Sequence, residues 1–264
     1  MRHVWTTLGL CTLAAPVGAQ FTTTYTGVQR DGGKEYPATA IFSIEKGRIA
    51  MIMTGSRHMR MLFDYMAQVL RMVSEDDKTY FDIDKDFQQS MDPSGMMAQM
   101  KKQLDAMPKE QRAMAEAMMS QAMAGRGGAQ PQLVYNWTKD KQTISGYDCT
   151  RVEGMRGQDK VTEYCGSTSN DLKLTDNDRQ TMLDMQGYLR NFLITVHTSD
   201  DATRAFAWDT GTDGYPVLTR CFRNGEMTLE LKLATVTRKG PTDDQFALSG
   251  FKKMDMKAMM RGGN

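Results

Sequence analysis

Tyr36-Pro37-Ala38-Thr39-Ala40-Ile41-Phe42-Ser43-Ile44-Glu45 is the stretch that decides the fold. Thr39, Ile41 and Ser43 alternate with Ala40, Phe42 and Ile44. Successive side chains of an extended chain point to opposite sides, so these two sets line the two faces of one strand. Upstream, residues 21–28 are rich in Thr, Tyr and Val, and Asp31-Gly32-Gly33 supplies hairpin-turn chemistry between the two runs. Downstream, Gly47 turns the chain into residues 48–53, and strand-like runs follow at 58–63, 68–73 and 78–83. Gly55, Ser56, Ser74, Asp76 and Asp77 form the turns between them. Short strands at regular intervals with polar turns predict an antiparallel meander.

The meander is then interrupted. Residues 94–124 contain no Val, Ile or Thr and are dominated by Ala, Met, Gln and Lys, all good helix formers. Met96, Met97, Met100, Leu104 and Met107 fall within about one third of a helical wheel. Pro108 suits the first turn of a second helix, in which Met114, Met118, Met119 and Met123 spread over about half the wheel. The segment reads as a Met-rich helical-hairpin insertion, with a Gly-rich exit at 125–131. Nine of the chain's 24 methionines lie between residues 91 and 123.

Strand patterns resume at 133–138, 142–153 and 160–165. Thr175, with Asp178 three residues on, starts an amphipathic helix whose apolar face is Met182, Met185, Leu189, Phe192, Leu193 and Val196. Further strand-like runs cover 204–208, 215–222 and 227–236, the last two joined by an Asn224-Gly225 turn. A Met-rich tail, 254–264, is expected to be flexible. The pattern predicts an α+β, mainly antiparallel β domain over 20–253.

Residues 1–19 read as a secretory signal. Arg2 and His3 make a basic start, residues 4–13 are apolar, and Val17-Gly18-Ala19 is a small-residue cleavage site, so the mature chain would begin at Gln20. The apolar stretch is too short to span a bilayer and no later stretch approaches that length, which predicts a periplasmic or secreted product without a transmembrane segment. Cleavage removes Arg2 and leaves 32 basic residues against 32 acidic ones. That balance gives no electrostatic footprint for nucleic acid. Cys149, Cys165 and Cys221 survive cleavage, and an oxidising compartment favours one disulfide among them. Cys149 and Cys165 lie symmetrically about Gly157 in a predicted hairpin and are natural cross-strand partners; pairing of either with Cys221 is the alternative.

Nothing in the sequence indicates catalysis or a cofactor. His58 and His197 are the histidines of the mature chain, and neither lies in a hydrolase signature. There is no Cys-x-x-Cys for thiol redox chemistry. Asp82, Asp84 and Asp86 imitate the start of a calcium loop, but Phe87 and Pro93 occupy the positions of its glycine and its bidentate glutamate. Met51-x-Met53, Met59-x-Met61 and Met254-x-Met256 have the spacing by which thioethers hold Cu(I). Residues i and i+2 of a strand also share a face, so the first two pairs read equally as core or cavity lining.

Several segments carry a family resemblance. Gly146-Tyr147-Asp148-Cys149-Thr150-Arg151 resembles the "aGykC" strand of the bacterial domain of unknown function 4412. Gly214-Tyr215-Pro216-Val217 is similar to its "GyP" turn, and Lys78-Thr79-Tyr80 to its "kkTY" strand. Phe246-Ala247-Leu248-Ser249-Gly250-Phe251-Lys252-Lys253-Met254 resembles its closing pattern, with Ser249 in place of the usual proline. Cys165 likewise replaces a bulky aromatic. The resemblance implies export and a fold similar to lipoprotein carriers of the LolA/LolB type, a curved antiparallel half-barrel with helices in its mouth. It implies no catalytic residue.

The expectation is therefore an exported, non-enzymatic protein that binds or carries a hydrophobic ligand: lipid, lipidated protein or apolar peptide. Met100, Leu104, Met107, Met114 and Met118 of the insertion would form a lid, and Met185, Leu189 and Phe192 a facing helix surface. Methionine suits a lid because it repacks around varied shapes. Periplasmic Cu(I) binding and an envelope structural or stress role are the alternatives.

Overall fold

A computed structural model describes residues 20–45, 47–87, 112, 133–168, 170–195 and 214–255; within the helix that begins at Asp176, side chains are described for 176–184 and 187. The strands are β1 (Gln20–Asp31), β2 (Lys34–Glu45), β3 (Arg48–Thr54), β4 (Met59–Asp64), β5 (Val69–Ser74), β6 (Thr79–Ile83), β7 (Leu133–Ile144), β8 (Tyr147–Arg156) and β9 (Asp159–Ser167). Helix α1 (Asp176–Thr195) follows, then β10 (Tyr215–Arg223), β11 (Glu226–Thr237), the short helix α2 (Asp243–Phe246) and β12 (Lys252–Lys253). Among the described residues they form one twelve-stranded sheet in the order β12-β6-β5-β4-β3-β2-β1-β11-β10-β9-β8-β7. Every pairing is antiparallel except β12 with β6. β7 and β12 stand at opposite ends and the sheet is open.

The predicted meander is present from β1 to β6, joined to a second group of strands along the β1–β11 seam. Gly27 makes that seam possible: a Cβ there would stand 1.8 Å from the carbonyl oxygen of Glu230. Two sequence expectations need correcting. The run 142–153 is two strands, because Ser145 and Gly146 adopt φ of 52° and 84° and form a hairpin turn between β7 and β8. β7 in turn runs straight through the Lys139-Asp140-Lys141 stretch, which reads as a loop but is accommodated by a register shift between Trp137 and Lys141. Charges and a bulge are common on a sheet edge, where they discourage pairing with other chains.

Alternation sorts the side chains onto two faces. One bears a single contiguous buried cluster that includes Phe21, Tyr25, Phe42, Met51, Phe63, Leu231 and Val217. The other bears a small cluster of Ala50, Leu62 and Val73, against which Tyr80, Phe246, Leu248 and Phe251 pack. The closing segment thus lies across the second face and ends as β12: Lys252 N–H donates to Lys78 O (2.9 Å) and Met254 N–H to Tyr80 O (2.7 Å). Met254, the first residue of the predicted flexible tail, is therefore tied to β6.

Helix α1 starts as its sequence predicts. Asp178 N–H donates to Thr175 Oγ1 (3.2 Å) and Thr175 N–H to Asp178 Oδ2 (2.8 Å), a reciprocal cap that satisfies two donors at the helix end. No described helix is long and apolar enough to cross a membrane. The signal at 1–19, the insertion at 94–124, its exit at 125–131, the run 204–208 and the tail beyond Asp255 lie outside the described residues.

Candidate functional site

The larger buried face is the candidate site. β3 contributes Ile49, Met51 and Met53 to it, β4 Met59, Met61 and Phe63, and β5 Leu70 and Met72. Hairpin register brings the methionines together: Met51 stands opposite Met61, Met61 opposite Met72, and Met53 opposite Met59. Directly opposed residues have Cβ atoms about 4.5–5.5 Å apart, within reach of two thioether side chains. Five methionines therefore form two adjoining rows on three neighbouring strands. Met51 is 1% exposed, and Met53 and Met61 are each 4% exposed. Phe87, Leu172 and Met182 pack onto the same cluster from outside the sheet.

Two buried tyrosines on this face are hydrogen-bonded. Tyr25 Oη donates to Pro216 O (2.9 Å), and Tyr215 Oη shares a hydrogen bond with Thr23 Oγ1 (2.7 Å). Burial pushes the Tyr215 phenol up to about 12 and Tyr25 well above its ordinary value, so both stay protonated near neutral pH. Phenols held that high make poor bases. Their role here is to pin β1 to β10.

Of the expected site residues, Met100, Leu104, Met107, Met114 and Met118 lie outside the described residues. Met185, Leu189 and Phe192 fall within α1, but their side chains are not among those described. Met182, on the same predicted helix face, is buried in the main cluster. Cys149 and Cys165 form the disulfide, with S–S 2.03 Å and Cα–Cα 5.3 Å. The bridge is offset from the expected symmetric pairing: Arg151, not Cys149, stands opposite Cys165, because the turn pairs Arg156 with Asp159 and the register then shifts between Gly154 and Met155. Cys221 is buried on β10, outside the bridge.

No group of three or more His, Cys, Asp or Glu side chains could hold a metal among the described residues. Asp82 of the calcium-like run is engaged by Arg71 Nε (2.6 Å) and Lys253 Nζ (2.8 Å). His58 Nδ1 lies 3.0 Å from Asp76 Oδ1 on an exposed turn.

Sequence reasoning missed the construction of the second face. Arg60, 6% exposed, donates through Nη1 to the carbonyls of Gln245 (2.7 Å) and Ala247 (3.1 Å), and its guanidinium lies 5.1 Å from the ring centroid of Phe251. Arg48 stacks likewise on Phe246 at 4.7 Å. An open groove of about 620 Å³ remains beside this clasp, lined by Ile52, Thr54, His58, Arg60, Glu75 and Phe251 among others. The available signal was the recurrence of an arginine, Arg48, Arg60 and Arg71, among the apolar residues of three consecutive strands, followed late in the chain by Phe246 and Phe251.

In comparisons with known proteins, the chain matches no family model, and no curated protein matches it.

Proposed function

We propose that the protein binds or carries a hydrophobic ligand of the acyl-chain or apolar-peptide class on the methionine-bearing face, without catalysing a reaction. The observation that carries this reading is the pair of in-register methionine rows, Met51–Met61–Met72 and Met53–Met59. A core selected for rigid packing favours branched or aromatic side chains with defined rotamers, whereas unbranched thioethers adapt to variable shapes. Among the described residues the sheet is open and its end strands do not pair, which suits a curved half-barrel with its mouth covered by helices. Burial of apolar surface would supply affinity at about 25 cal/mol per Å², with little polar specificity. The Cys149–Cys165 bridge and the expected signal at 1–19 suit a periplasmic or secreted setting, and the family resemblance points the same way.

An environment-sensitive acyl fluorophore tests this. Its emission should rise on binding and fall when unlabelled fatty acid is added, and Met61→Lys should abolish the rise while leaving the second face intact. Equal emission from wild type and Met61→Lys would refute the site.

The same rows favour a second reading. Three thioethers side by side could hold Cu(I), a soft ion that accepts an all-sulfur ligand set. Titration of a Cu(I)-competing chromophore with the reduced ion would show one tightly held equivalent, lost in Met61→Leu.

A further inference from the structure

The nitrogen of Gln20 lies 3.2 Å from Asp178 Oδ1, and Asp178 is 1% exposed. The other carboxylate oxygen, Oδ2, receives the Thr175 N–H and the Arg238 guanidinium. Burial pushes the Asp178 carboxyl up, but the Thr175 N–H and Arg238 outweigh it and keep the group ionised. The Gln20 side chain is exposed but passes close to the Gly240 backbone: a Cβ on Gly240 would stand 2.9 Å from Gln20 Cγ and 3.1 Å from its Nε2. The start of α1, the 238–240 segment and the start of β1 thus meet at the residue at which the mature chain is expected to begin.

We propose that cleavage after Ala19 turns the Gln20 N–H into an α-ammonium that pairs with buried Asp178, so that export processing itself completes the join between β1 and α1. A signal peptidase would hydrolyse the Ala19–Gln20 amide: water adds its hydroxyl to the Ala19 carbonyl, the C–N bond breaks, and the Gln20 nitrogen leaves protonated. A neutral amide–carboxylate hydrogen bond becomes an ammonium–carboxylate one, of the stronger charge-assisted class. One extra residue upstream would carry the positive charge about 3.5 Å along the chain and restore the neutral amide.

The test compares two forms of the chain, both with Cys149–Cys165 oxidised: exported protein, and protein made in the cytoplasm with one Met before Gln20. Intact mass first establishes that the exported chain begins at Gln20; a different first residue overturns the proposal. The exported form should then show an unfolding equilibrium constant roughly tenfold smaller than the Met-extended form, as expected for strengthening one charged hydrogen bond. Asp178→Asn should erase that difference. Equal stability of the two wild-type forms, or a gap that persists in Asp178→Asn, overturns it.

A second measurement needs no variant. An N-terminal glutamine cyclises when its neutral α-nitrogen attacks its own side-chain Cδ and expels Nε2 as ammonia. An α-ammonium paired with Asp178 resists this, so folded exported protein should keep its mass under conditions in which the urea-unfolded chain loses one ammonia. Equal rates in the two states would count against the pairing.

Discussion

Strand β4 reads Met59-Arg60-Met61-Leu62-Phe63, and its two faces are finished in opposite ways. On one, Met59 and Met61 join cross-strand rows of thioethers. On the other, Arg60 reaches the carbonyls of Gln245 and Ala247 and lies against Phe251. The second face is closed by the chain's own carboxy-terminal segment through directional bonds. The first is apolar, built from side chains that repack easily, with no directional partner among its methionines. Under the proposed function, a strand with one clasped face and one adaptable face would hold its shape while its ligand changes. That division is the core of the functional reading.

The largest expected effect lies on the clasped side. Arg60→Ala leaves two carbonyls without their donor and removes one of the two cations beside Glu75, a loss of buried hydrogen bonds that costs about 3 kcal/mol. Urea unfolding measures it, and a loss below about 1 kcal/mol would mean that the clasp is held by something else. Phe251→Ala should cost less, about 2 kcal/mol, since Arg60 keeps its carbonyl partners while Leu62 and Val73 lose part of their cover. An effect equal to that of Arg60→Ala would make the aromatic plane, not the hydrogen bonds, the principal tie.

Acid should separate the faces next. Burial pushes the Asp82 carboxyl up, but Arg71 and Lys253 outweigh it and hold it below its usual range. A carboxyl depressed on folding contributes stability above its unfolded value, about 3.9, and loses it as pH falls through the lower folded value. Methionine does not titrate. Below about pH 4, amide exchange at Lys252 and Met254 should therefore accelerate before exchange in β3 and β4 does. Simultaneous acceleration would show that the clasp does not open separately.

The smallest stability effect belongs to the adaptable face. Met51→Leu with Met61→Leu conserves volume and should cost less than about 1.5 kcal/mol, yet narrow the range of acyl lengths that displace a bound fluorophore. An unchanged range would remove methionine's special role.

Much of this was legible in the chain. Alternation at 39–44 announced the meander, Thr175 and Asp178 announced the helix cap, and cysteine spacing announced the bridge. The faces of Met51, Met53, Met59 and Met61 also followed from period two. Their assembly into rows did not, because which methionine stands opposite which depends on the turns at 55–58 and 65–68. The β12–β6 pairing was beyond reach for a different reason. Two lysines make no strand pattern, and the parallel register comes from Phe251 and Leu248 seating on the second face rather than from local preference. The offset of the disulfide likewise depends on the pairing of Arg156 with Asp159 at the turn and on a shift at Gly154 and Met155, neither of which a spacing rule encodes.

Native mass spectrometry of gently purified exported protein reads the occupancy of the methionine face without any added probe. Wild-type protein should carry adducts of lipid or apolar-peptide mass that are lost in Met61→Lys. A bare chain under those conditions, or a single copper-mass adduct, would contradict the proposed function.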